Sequence, residues 1–147
     1  MNSTIALLFY CLLHIQGCHH DAFSKIKGKW LVKKYLPTNN IVALSQDEVD
    51  ELIGTNIIYS KSCVTTKKLT IKSPVYSCKI MTYEKFQNEF AGFPLTDLDI
   101  SSSKILLITI DNSTQDAPEF FGDTILKDGN KVLIEFKGVY FLLSRFH

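Results

Sequence analysis

Histidine is missing from the body of this chain. The four histidines are His14, His19, His20 and His147, so none lies between positions 21 and 146. That excludes from the body a histidine general base, a histidine metal ligand and any Ser/His or Cys/His couple. Arginine is almost as scarce, because of sixteen basic residues only Arg145 is an arginine. A single guanidinium leaves no spare bidentate fork for a phosphate or carboxylate substrate. Excess charge is missing too: fifteen acidic residues offset sixteen basic ones, for a net charge of +1. Nucleic acid is therefore not an expected partner, since phosphate backbones select for a basic surface. Repeats and low-complexity linkers are absent. Carboxylates, Tyr, Lys and Cys are what remains for chemistry, and no cofactor site is expected.

What is present is a globular composition, 46% hydrophobic and 12% aromatic over 147 residues. That length suits one domain with a real core. The first residues are an exception. Ile5 to Ile15 is an apolar run of eleven residues, too short to span a bilayer and suited to the central part of a signal peptide. It ends in Leu13-His14-Ile15-Gln16-Gly17-Cys18, which resembles a bacterial lipobox. The resemblance implies cleavage after Gly17 and lipidation of Cys18. Residues 1–18 are thus expected as a leader with Cys18 as lipid anchor, 19–25 as a tether and 26–147 as the domain. Ordinary cleaved secretion is the alternative. His19-His20-Asp21 reads as a polar tether, because a flexible segment does not fix metal-ligand geometry.

The domain opens with a strand over residues 26 to 35, with Trp30 and Val32 on one face. Pro37-Thr38-Asn39-Asn40 signals a loop. Ser45 and Glu48 then make a capping box, with Leu44 and Val49 as the apolar staple and Gly54 closing a helix of about eight residues. Strand patterns follow at 56–60, 67–72 and 75–81, with Ser73-Pro74 predicted as the turn of a hairpin joining the last two. Thr82 caps a second short helix bearing Phe86 and Phe90, which Pro94 ends. Residues 96–103 form a polar connection containing Leu98 and Ile100. Strands at 104–110, 119–127, 131–136 and 139–146 complete a meander, with turns at Asp128-Gly129-Asn130 and Lys137-Gly138. Eight strands and two short helices predict a mainly β fold, a single antiparallel β-barrel.

Gly28-x-Trp30 on the first strand looks like the signature that opens lipocalins and the wider calycin group. That resemblance implies a Trp closing the barrel base with an arginine of the last strand across its ring, here Arg145, and so a structural clasp of Gly28, Trp30 and Arg145. Leu52-Ile53-Gly54, Pro74-Val75-Tyr76 and Gly138-Val139-Tyr140-Phe141 resemble small lipocalin-like proteins of bacteria, often secreted or lipid-anchored. The second lipocalin signature, Thr-Asp-Tyr, is absent.

Cys63 and Cys78 are the thiols left once Cys11 is cleaved away and Cys18 is acylated. In an oxidising compartment an even pair favours a disulfide, and two unpaired structural thiols are the other reading. Asp47, Glu48, Asp50 and Glu51 read as a solvated helix face, and Asp97 and Asp99 as loop residues. Tyr76, Tyr83, Phe120, Phe121, Tyr140 and Phe141 are core or a pocket lining. No enzyme is expected. The expected function is a non-enzymatic envelope lipoprotein holding a small apolar ligand in its barrel. The alternative is a protein-interaction module, such as an inhibitor or immunity protein acting on a secreted enzyme through the loops at 37–40 and 111–118. Barrel volume separates the two, since about eight strands either fill with side chains or hold one small ligand.

Overall fold

The computed structural model describes residues 22–37, 43–90, 98, 100, 103–112 and 119–146. Among the described residues three short helices, α1 (Ala22–Ile26), α2 (Gln46–Leu52) and α3 (Tyr83–Glu89), accompany nine strands. The strands are β1 (Gly28–Leu36), β2 (Asn56–Tyr59), β3 (Cys63–Thr65), β4 (Thr70–Lys72), β5 (Pro74–Thr82), β6 (Lys104–Asn112), β7 (Thr124–Asp128), β8 (Lys131–Phe136) and β9 (Val139–Arg145). They form one antiparallel sheet in the order β4-β3-β2-β1-β9-β8-β7-β6-β5, a nearly closed barrel compatible with a calycin-like fold.

The ladder stays open between β4 and β5. The hairpin predicted around Ser73-Pro74 is not formed, because β4 pairs with β3 and all nine residues of β5 pair with β6. Ser73 takes a φ of 51° and donates its N–H to the Ser62 carbonyl instead. The strand β3 went unpredicted, as three residues are too few to show alternation. The strand expected at 67–72 shortens to β4, since Thr66 and Leu69 close a turn through their backbone bond.

The turns of the last third follow backbone chemistry. Lys137 and Gly138, with φ of 52° and 82°, form the two-residue loop of the β8–β9 hairpin. Positive φ at both central positions is the type I′ pattern, whose twist matches the flanking strands. In the β7–β8 hairpin Gly129 has φ 56° in the loop closed by Asp128 and Lys131. The strand expected from Glu119 begins only at Thr124, because Asp123 bends the preceding residues by accepting the N–H of Phe120 at 3.1 Å.

Two cores flank the sheet. The inner one holds Trp30, Val32, Ile57, Tyr59, Ile108, Ile125, Ile134 and Phe141, with Ala22 and Ile26 of α1 at its end. Residues 19–25 were expected to be a tether, yet Ala22 through Lys25 belong to a helix, because Ala22 and Ile26 lie one turn apart on its buried face. The outer core joins Leu107, Leu126, Leu133 and Tyr140 of the strands to Phe86 of α3, Leu98 and Ile100. Phe86 and Phe90 stack at 4.7 Å. Pro94 lies outside the described residues.

Candidate interaction site

One end of the barrel is sealed by the clasp residues. Trp30 and Arg145 are register partners on β1 and β9, and the guanidinium carbon sits 4.7 Å from the indole centroid. The indole N–H donates to the Ile26 carbonyl at 2.6 Å, tying α1 to the same end. Gly28 has φ 111°, and a Cβ there would stand 3.4 Å from an arginine nitrogen. A side chain at this position would meet both backbone strain and the guanidinium. Beside the clasp an open groove of about 550 Å³ is bordered by Lys25, Lys127 and Arg145, all basic.

The opposite rim is built by α2. Ser45 accepts the Glu48 N–H while Glu48 accepts the Ser45 N–H, a complete capping box. These bonds hold the Glu48 carboxyl below its ordinary pKa, the backbone bond to Ser45 being the largest cause. Leu44 and Val49 are both buried, as the staple requires. A shallow cleft lies on each side of the helix. One, of about 240 Å³, runs between Tyr35, Leu36 and Val139; the other, of about 200 Å³, lies between Leu69, Phe120 and Phe136. Both are open and share Leu44. Charges edge the second: Lys68 bonds Glu51 at 3.0 Å, and the Lys137 ammonium lies 5.2 Å from the Phe136 ring centroid.

Between the two ends the barrel is occupied by side chains. Val32, Ile57, Ile108, Ile125, Ile134 and Phe141 are all 0% exposed. The Tyr59 hydroxyl, in the same core, donates to the Gly122 carbonyl at 2.9 Å, and burial pushes its pKa well up. Gly122 is what makes room, since a Cβ there would lie 2.9 Å from that hydroxyl oxygen.

The aromatics considered as a pocket lining do not converge. Phe120, Phe121 and Phe141 belong to the inner core, Tyr140 to the outer one, and Tyr83 is exposed. Tyr76 reaches over the seam to donate to the Ser60 carbonyl at 2.6 Å, with burial raising its pKa to about 12.

Cys63 is a free thiol, so the bridge expected between Cys63 and Cys78 is not made. Cys63 instead bonds Ser60 at 3.4 Å, the leading cause of its lowered pKa. Cys78 is buried on β5. Sequence parity suggested the pair without knowing that their strands, β3 and β5, are not neighbours in the sheet.

Asp47, Asp50 and Glu51 lie on the exposed side of α2, and Gln46 bonds Asp50 at 2.8 Å. Asp97, Asp99, Cys18, His147 and most of the two loops at 37–40 and 111–118 lie outside the described residues. Two carboxyls have raised pKa values, first because of burial: Asp123 and Glu135. Each is used locally, Asp123 by Phe120 and Thr124, and Glu135 by the Gly138 N–H at 2.8 Å. Among the described residues no group of three or more His, Cys, Asp or Glu is placed to hold a metal ion. No protein-family profile, curated protein or solved structure matches the chain.

Proposed function

We propose that this chain is a non-enzymatic protein-interaction module acting outside the cytoplasm, with the α2 rim as its contact surface. The observation that carries the reading is the occupied barrel interior, where the central residues of β1, β2, β6, β7, β8 and β9 are fully buried against one another. Small-molecule sites typically need about 300 Å³ or more of enclosed space. The two rim clefts, of about 240 and 200 Å³, and the larger basic groove beside the clasp, of about 550 Å³, are all open rather than enclosed. The two rim clefts offer apolar footholds edged by charge, which suits a protein surface better than a buried lipid. The apolar leader run supports the extracytoplasmic address.

Native mass spectrometry of the mature protein isolated from its own cells tests this. The expected species are the bare polypeptide and a stoichiometric complex with a second protein. A stoichiometric apolar small molecule retained by the folded monomer would instead favour a ligand held in the barrel.

A further inference from the structure

The near-zero net charge of +1 conceals two ends of opposite sign. The α2 rim carries Asp47, Glu48, Asp50 and Glu51 on one short helix, and Glu119 lines the cleft beside Glu48. The clasp end is basic. It is formed by α1, the start of β1, the β7–β8 hairpin and the end of β9, and it holds Lys25, Lys27, Lys29, Lys127 and Arg145. Over the same segments, 22–30, 127–131 and 143–146, the one acidic residue is Asp128.

Short contacts gather these cations on one surface. Lys25, Lys127 and Arg145 border the open groove of about 550 Å³. Arg145 donates to the Lys27 carbonyl at 3.4 Å, and the Phe146 N–H donates to the Lys29 carbonyl at 3.1 Å. The Lys29 ammonium lies 3.9 Å from the centroid of the Phe146 ring, which is 52% exposed. A large apolar side chain thus stands in solvent beside a ring of positive charge. The surface is also held in shape, because the Trp30 indole ties α1 to β1 and the Lys127 ammonium donates to the Gly129 carbonyl.

We propose that the clasp end docks on the surface of an anionic lipid bilayer, its cations among the headgroups and Phe146 entering the interface, so that the α2 rim faces away from the membrane. Charge complementarity favours this occupant. One arginine supplies no paired forks to fix a single phosphate, whereas lysines spread around an open groove suit a field of laterally mobile headgroups. Phe146 has a use only where an apolar layer lies beneath the charge. Each basic residue near an anionic membrane strengthens partitioning roughly fivefold, and the attraction fades within a Debye length of about 10 Å at 0.1 M salt. The nine residues of β1 run from the clasp end to the rim, roughly 30 Å of strand, so the rim carboxylates lie beyond the reach of that field.

Flotation of the full chain with vesicles tests this, comparing phosphatidylcholine alone with a phosphatidylcholine–phosphatidylglycerol mixture. Binding to the mixture at least roughly tenfold above the neutral vesicles, and lost near about 0.5 M salt, is expected. Lys25→Glu with Lys27→Glu, both at exposed positions, should weaken it at least roughly tenfold. Lys68→Glu with Lys137→Glu, the same charge change at the rim, should leave it within about twofold. Phe146→Ser should weaken binding to the mixture as well. Equal binding to neutral vesicles, as the apolar run Ile5 to Ile15 alone would give, would overturn the proposal. So would equal losses from the two charge-reversed pairs, or release of the protein by inorganic phosphate at constant ionic strength. Salt-sensitive binding to single-stranded RNA that equals binding to the vesicles and ignores Phe146→Ser would overturn it too. None of these outcomes depends on a protein partner at the α2 rim, so docking and the interaction reading fail separately.

Discussion

The two flanks of the sheet bury themselves in different ways. In β2, β3 and β4 the central apolar side chains alternate with exposed or half-exposed ones, Ile57 and Tyr59 facing in while Ile58 is 41% exposed. In β6 through β9 the buried positions run together, as in Leu107-Ile108 or Val132-Leu133-Ile134, because both faces are covered. The inner face meets the barrel core and the outer face meets α3 with Leu98 and Ile100. One flank is a barrel wall against solvent; the other is the middle of a three-layer stack. Strands buried on both faces read as unbroken apolar runs. The doubly covered flank is therefore the rigid part of the molecule, and the singly covered flank with its open seam is the weaker part.

Mutations can break or sharpen that contrast. The largest effect is expected from Phe141→Ala, which empties an inner position with no exposure and the edge-on contact with Phe121 at 5.1 Å; a loss of about 3–5 kcal/mol in chemical denaturation is expected. On the outer faces the flanks should part. Leu133→Ala, 1% exposed, should cost about 2–4 kcal/mol, whereas Ile58→Ala should stay within about 1 kcal/mol. Equal losses at the two positions would erase the distinction. Next comes Arg145→Ala, which removes the cation over Trp30 and should cost about 0.5–2 kcal/mol with a change in Trp30 emission. Ser45→Ala, which breaks the capping box, should cost about 1 kcal/mol and loosen the α2 rim, read by amide exchange in α2.

The smallest expected effect is on pH dependence and concerns the rim of the rigid flank. Burial raises the Glu135 pKa above 4.5, so the folded state binds the proton more tightly than the unfolded one. Between the unfolded and folded pKa values the native state therefore holds more protons, and stability falls as pH rises through that window. Glu135→Gln should flatten that fall in a series of thermal melts starting near pH 4.5. An unchanged slope would remove Glu135 as its source.

Much of this organisation was legible in the sequence wherever a local signal sufficed. The capping box at Ser45 and Glu48, the Thr82 cap, and the turns at Gly129 and Lys137-Gly138 depend on a few adjacent residues, and each stands where its chemistry put it. The approach of Arg145 to Trp30 was read from a family resemblance, and the two residues do meet. The errors have a common physical source, for they concern partners chosen at long range. Ser73-Pro74 carries turn residues, yet β5 found a nine-residue match in β6 that the three residues of β4 could not offer. Cys63 and Cys78 satisfied parity but stand on β3 and β5, which are not neighbours in the strand order. The helix at Ala22 was hidden by its brevity and by the polar residues before it. Whether the barrel was hollow could not be read at all, because interior volume depends on strand tilt and stagger as well as composition.

The central claim is that side chains, not a ligand, fill the barrel. Trp30 is the sole tryptophan and faces that interior, so its emission reports on anything entering. Titration with a long-wavelength apolar fluorophore should give no saturable energy transfer from Trp30 in the folded protein. Saturable transfer at one fluorophore per chain, with the protein still folded, would contradict the account.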